Sequence, residues 1–367
     1  MTTPSSDATY PFEAAPVPIS TLTDGTGSIS QDAISAYVKQ AFAMIRASHG
    51  WAKGKVIKTE VAPVQSFKGN SVHKGRLAKC GWHGRHSVHP PSEAKGLTWD
   101  DFKAGLLIDH PQQETEYISE MTAANQIDEL KKGVAEVWNN TYNLPSLTSN
   151  RDFLELLITL ELPLHPTPYS EAHEALVLQQ LRGESLPASE PQSLRSFIVI
   201  QQPVSHDKCP HRSSEGYVRA YYASVEAISE TRAGATDWRM FLQSDASGRI
   251  PLMFQEMAMP SKTAPDVPCF INWKSSKKAA DKEEAQKPVP AVAEPTGADT
   301  QGAASAAPID SQHATGSSAA ADASAPAPAA GGGAKTTTTD EPAVAEPRVG
   351  AGDTPAAPAP RDAEQGA

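Results

Sequence analysis

The sequence predicts an α+β fold in which a curved antiparallel sheet wraps around a long C-terminal helix. Strand-like segments come in runs and do not alternate one for one with helices, which favours an antiparallel sheet over parallel βαβ units. The last patterned stretch, Ile250 to Trp273, is an apolar-striped helix placed to cover that sheet. The body between the polar ends is long enough for one sizeable core. A sheet closed by a single helix tends to leave an apolar cavity between them.

The domain limits follow from composition. The chain has 367 residues, of which 39% are hydrophobic and 6% aromatic, and no Phe, Trp or Tyr follows Trp273. From Lys277 onward it is Ala, Pro, Gly, Ser, Thr and acid, as in Pro326-Ala327-Pro328 and Gly331-Gly332-Gly333. Such a segment cannot bury enough apolar surface to offset a backbone entropy cost of about 1–2 kcal/mol per residue. Residues 1–29 are similarly polar. The expected organisation is a disordered N-terminal segment over 1–29, a folded domain over 30–276 and a disordered acidic tail over 277–367.

Within the body, Ser30 precedes a helix whose apolar face is Ile34, Val38, Ala41 or Phe42, and Ile45. Trp51 to His89 reads as short strands broken by glycine turns, closed by Pro90-Pro91. Thr98 and Asp101 make a capping box for a helix through Phe102 and Leu106. His110-Pro111 restarts a second helix, carried through Tyr117, Ile118 and Met121. Val134 to Tyr142, Phe153 to Leu162, Phe197 to Val204, Gly216 to Ile228 and Trp238 to Ser244 read as strands. Ser170 to Arg182 reads as a helix stopped by Gly183. Ile250-Pro251 opens the final helix, with Ile250, Met253, Phe254 and Met257 as its stripe and a break expected between Pro260 and Pro265.

Charge and composition exclude several classes of function. The formal net charge is −11, which disfavours nucleic acid, where basic patches supply most of the affinity. No polybasic run suits an anionic lipid surface. No apolar run of about 18 residues and no signal-peptide pattern is present. Cys80, Cys209 and Cys269 are odd in number and far apart, so no disulfide framework is implied and the expected location is cytoplasmic.

Few constellations carry chemistry. His83, His86 and His89 with Cys80, and His206 with Cys209 and His211, contain zinc-ligand residue types, but neither has a standard spacing. No phosphate loop, HExxH or GxSxG pattern appears. Asp245 with Arg249 and Glu226 with Arg219 are expected to be structural ion pairs. Arg85 and Arg151 stand in apolar strand contexts where an unpaired charge is costly. Each therefore either has a buried carboxylate partner or faces a cavity and meets a polar head group. The methionines of the final helix are either plain core or an adaptable pocket wall.

Several spaced motifs occur in order: Trp82-x-x-Arg85-x-Ser87-x-His89, His110-x-x-x-Glu114-x-x-Tyr117, Asn150-Arg151-x-Phe153, Tyr222-x-Ser224-Val225-Glu226 and Asp266-Val267-x-x-Phe270-x-x-Trp273. Together they resemble a mostly fungal START-like (Bet v 1-like helix-grip) family catalogued as a domain of unknown function, within the START lipid-binding superfamily. The resemblance covers about residues 35 to 273. It implies a helix-grip fold holding one hydrophobic molecule, such as a lipid or sterol, between sheet and helix. Trp82, Arg85, His89, Arg151, Phe153, Met253 and Met257 become the cavity candidates. No catalytic residue, metal or cofactor is implied. The expected partners are a hydrophobic small molecule and a transient membrane contact, with no nucleic acid, for a monomer. The alternatives are an enzyme acting in the same cavity and an adaptor working through its tail. Ser170 to Ser189 departs from the family pattern as an insertion, and Pro265 as a break in the final helix.

Overall fold

The computed structural model describes residues 13–285, apart from 70–71, 74–75, 78–79 and 145–148. Strand β1 (Val17–Pro18) leads to helix α1 (Gln31–Ala47). The Ser30 hydroxyl accepts the Ala33 N–H at 3.1 Å and starts that helix. Strands β2 (Ala52–Lys58), β3 (Pro63–Gly69), β4 (Val72–His73), β5 (Arg76–Leu77) and β6 (Trp82–His89) follow. Helix α2 (Trp99–Leu106) is capped by Asp101, whose carboxylate accepts the Thr98 N–H at 2.8 Å. Then come α3 (His110–Tyr117), β7 (Met121–Lys131), β8 (Ala135–Tyr142), β9 (Arg151–Glu161) and α4 (Glu171–Leu181). Strands β10 (Ser196–Ser205), β11 (Val218–Glu230) and β12 (Thr236–Asp245) precede α5 (Leu252–Thr263) and α6 (Asp266–Ala285).

The main sheet runs in the order β2-β3-β6-β12-β11-β10-β9-β8-β7, and β4 pairs separately with β5. Neighbours along that order are antiparallel. The end of β10 leaves its neighbours and pairs with β1. Where it does so, the start of β11 meets the start of β9 directly, with Val218 opposite Arg151 and Ala220 opposite Phe153. The fold is thus α+β, a long antiparallel sheet plus a long C-terminal helix.

Strand alternation gives the sheet two apolar faces. On one face, Leu156, Ile158, Ile198 and Val225 pack against Val38, Phe42 and Ile45 of α1 and Val177 of α4. Helix α4, read from sequence as an insertion, docks beside α1, where Arg46 pairs with Glu174 at 2.8 Å. On the other face, Trp138, Leu157, Phe197 and Trp238 pack against Phe102 of α2 and Val267, Phe270 and Ile271 of α6. Gly105 lets α2 approach α6 closely, since a Cβ there would stand 2.5 Å from the Phe270 ring.

Three expectations need correction. Met121 does not extend α3. It opens β7, an edge strand whose mixed polar residues are largely exposed and so carry no clean alternation. Glu226 does not pair with Arg219. Arg219 binds Asp152 at 2.7 Å, because β11 meets β9 at that point, while Glu226 lies on the α6 side near Arg85. Helix α6 runs past Ser276 to Ala285. Lys277 reaches Glu116 and Lys278 reaches the Asp101 carboxylate and the Gly96 carbonyl, so the first residues assigned to the tail are tied to α2 and α3. The helix break falls at Ala264-Pro265, one turn beyond Pro260, where the missing proline N–H sits ahead of the new helix. Residues 286–367 lie outside the described residues. Among the described residues no helix is long and apolar enough to cross a membrane.

Candidate functional site

A cavity of about 450 Å³ lies between the sheet and the α5–α6 junction. Its floor is the α6-facing side of β8, β9, β11 and β12: Tyr142, Phe153, Tyr222, Met240 and Leu242. Its roof is Met259, Pro265 and Cys269, and Glu114 of α3 and Ile118 just after it stand at the side. The break between α5 and α6 lies in this roof, where Pro265 lines the space. The volume falls within the roughly 300–1,000 Å³ usual for a small-molecule site.

The aromatic floor is ordered by edge contacts. Phe153 meets Tyr142 at 5.2 Å and Tyr222 at 6.4 Å between ring centroids, both nearly perpendicular. Burial pushes both tyrosine hydroxyls well above their ordinary range. Carboxyl groups interrupt this apolar surface. Glu155 is 3% exposed, and its Oε1 has no hydrogen-bond partner. Burial, and then the nearby Glu114, push its pKa well above the ordinary carboxylate range, against a hydrogen bond from the Asn140 side chain that lowers it. Glu114 is raised for the same reason, against the opposing pull of His110. Asp266 is pushed up to about 7, chiefly by burial, although Arg85 pulls it down.

Behind this wall lies a buried charge cluster. Arg85 is 2% exposed and stands 3.9 Å from both Glu226 and Asp266, with its guanidinium 4.2 Å above the Trp238 ring. The Trp238 indole donates to Glu226 at 2.6 Å. His110 is fully buried, with Nδ1 2.7 Å from the Leu106 carbonyl and Nε2 3.5 Å from Glu114. The cluster supplies the partner for Arg85 that the cost of a buried charge requires.

The seven sequence candidates separate. Arg151 and Phe153 line the cavity. The Arg151 Nε donates to the Ala246 carbonyl at 2.7 Å, and its Nη1 to the Ser149 carbonyl. Arg85 touches the wall from behind through Asp266. His89 shares its face but sits farther along β6 under α2, between Phe102 and Trp238, with Nε2 2.8 Å from the Ser87 hydroxyl. Burial pulls its basicity down to about 4. Trp82 belongs to the α1 side, since residues three apart on a strand point to opposite faces.

Met253 and Met257 are corrected outright: they are 64% and 71% exposed and absent from the cavity wall. Helix α5 is held to the sheet by polar residues instead. Gln255 accepts the Ala246 N–H at 2.8 Å, and Glu256 accepts the Gly81 N–H at 2.7 Å while standing 3.0 Å from His83. That turns Met253, Phe254 and Met257 outward.

The candidate zinc ligands disperse into separate contacts. His83 meets Glu256, His86 meets Asp237 at 2.8 Å, and His206 meets Asp128 at 3.1 Å. Sequence reasoning missed Glu114, Glu155 and Asp266 as site residues. Glu155 carried the signal already used for Arg151, a charge inside the apolar strand Phe153-Leu-Glu-Leu-Leu-Ile158.

Comparison with known proteins places this geometry in a family. An uncharacterised protein of Schizosaccharomyces pombe is 23% identical over 197 residues, covering 52% of this chain and 67% of its own length. Human StAR-related lipid transfer protein 5 is similar in structure over 68% of this chain and 98% of its own, at 13% identity and a TM-score of 0.47. Human STARD10 is similar over 68% and 88%, at 15% identity and a TM-score of 0.44. The model of DUF3074, a family described as proteins of unknown function, matches residues 82–274. The chain belongs to the DUF3074 family.

Proposed function

We propose that the protein binds a hydrophobic small molecule, a lipid or sterol, in the cavity between the sheet and the α5–α6 junction and carries it between membranes. The observation that carries this reading is the cavity itself. A well-covered fold normally fills such a space with side chains, since empty volume forfeits packing energy. Here the space persists between an aromatic floor and the α5–α6 break.

The exposed apolar face of α5 supports the transfer half of the reading. Met253, Phe254 and Met257 form a contiguous outward patch on the helix whose other end, Met259 to Thr263, roofs the cavity. Such a patch marks a contact surface. Transient docking of α5 on a bilayer would place the roof at the point where a ligand must cross. The test is thermal melting of the purified chain with and without a total lipid extract. A raised Tm with extract supports binding, and an unchanged Tm with no retained lipid refutes it.

A second reading, an enzyme working in the same cavity, is favoured by one observation. Asp266, pushed up to about 7, is matched to proton transfer near neutral pH. Turnover of a bound lipid that disappears in Asp266→Asn would select that reading over passive carriage.

A further inference from the structure

We infer that the cavity selects a single amphiphile whose polar end is a protonated amine, held by Glu155 between Tyr142 and Tyr222. This rests on the cavity reading above and specifies its ligand.

The polar lining is unbalanced. The carboxyls of Glu114, Glu120, Glu155 and Asp266 face the space, against the cations Arg151 and Lys262. Arg151 directs its Nε and Nη1 at the Ala246 and Ser149 carbonyls, so those donors are committed to backbone. Arg85 and His110 sit behind the wall, beside Glu226. Among the described residues, Glu155 has no ion-pair partner.

Glu155 is the anchor because it lines the cavity and its buried Oε1 has no hydrogen bond, the Asn140 side chain being the one hydrogen-bond partner its carboxyl has among the described residues. A buried acceptor left unmade costs free energy, and a donor delivered by a ligand would recover it. The groups that act on it are Glu114 from α3, Asn140 and Tyr142 from β8 and Tyr222 from β11, and Asp266 and Arg151 line the same cavity. Carboxyls crowded in an apolar space repel one another's ionisation. A cation among them reverses that balance. An anionic head would add to the crowding, and a neutral hydroxyl would satisfy Oε1 without relieving it. The aromatic rings of Tyr142, Phe153 and Tyr222 suit both an ammonium and the chain behind it.

An alkyl amine has an ordinary value near that of lysine, roughly 10, and arrives as ammonium. Burial and the nearby Glu114 strengthen the hold of Glu155 on its proton. Binding forms an ammonium–carboxylate pair, and a proton held by the carboxyl passes to solvent, with no bond made or broken at carbon.

The experiment is calorimetric titration of the full chain at neutral pH with dodecylamine, dodecanol and dodecanoate, in two buffers of different ionisation enthalpy. Dodecylamine is expected to bind about tenfold or more tighter than dodecanol, as a charge-assisted hydrogen bond would give. Its heat should differ between buffers, reporting the released proton. Glu155→Gln should erase the amine preference and keep dodecanol binding. Glu114→Gln serves as a second variant should the first not fold. Dodecanol or dodecanoate binding as tightly as the amine overturns this inference and leaves the cavity reading standing. Absence of binding by all three probes removes both.

Discussion

Arg85 on β6 stands 3.9 Å from the Asp266 carboxylate that opens α6. The contact joins the sheet to the last helix at the helix break, where the cavity begins. Asp266 has one side toward the cavity and the other toward a buried cation, so its proton is coupled to both.

That coupling gives stability a pH dependence. Unfolded, Asp266 has its ordinary value of 3.8, and folded it lies at about 7. Below the first value both states hold the proton. Between the two, only the folded state holds it, so stability falls as pH rises, and above the second the loss is complete. Asp266→Asn removes this contribution. Its Tm should fall less than that of the wild-type chain between pH ~4 and ~8, and it should melt higher at the upper end. Glu114 and Glu155 act in the same sense and leave a residual slope. An equal or steeper slope in the variant would contradict this.

Arg85 should matter more than any surface charge. Its removal leaves Glu226, 4% exposed, without its cation. Arg85→Met is expected to cost about 3–5 kcal/mol in chemical denaturation. Adding Glu226→Gln should recover much of it, since a neutral amide in that place strands no charge. Equal stability of single and double variants would show that the pair is not coupled.

These two residues also show how far the sequence could be read. Arg85 was visible as a charge in an apolar strand, and its two possible fates were both sensible. The structure selects the carboxylate partner for Arg85 and places Arg151 in the cavity wall. Strands and capped helices were legible because alternation and caps are local. The floor residues Tyr142 and Tyr222 were not, since their convergence depends on β11 meeting β9 where β10 turns away. The α5 stripe was legible as apolar but misassigned in direction. Periodicity gives a face, while Gln255 and Glu256 decide which way that face turns.

The outward stripe can be tested by replacement. Met253→Ser, Phe254→Ser and Met257→Ser together should change folding stability by no more than about 0.5 kcal/mol per site, as exposed positions do. Transfer of a fluorescent lipid between vesicles should slow. A large loss of stability would mean the stripe is packed after all.

Gly105 offers a test of sign. In an exposed helix, Gly→Ala stabilises by about 1 kcal/mol. Here the added methyl would stand 2.5 Å from the Phe270 ring. Gly105→Ala should therefore destabilise by about 1–3 kcal/mol, the usual range for overpacking. A stabilised variant would show that α2 and α6 are less closely seated.

The central claim, that the sheet–helix cavity holds a hydrophobic ligand, is tested most directly by native mass spectrometry after incubation with a lipid extract. The wild-type chain and Ser244→Trp would be compared, because Ser244 lines the cavity and an indole there would obstruct it. The account predicts a bound hydrophobic species on the wild-type chain and little or none on Ser244→Trp, with both folded. A bare wild-type chain, or equal loading of both, would contradict it.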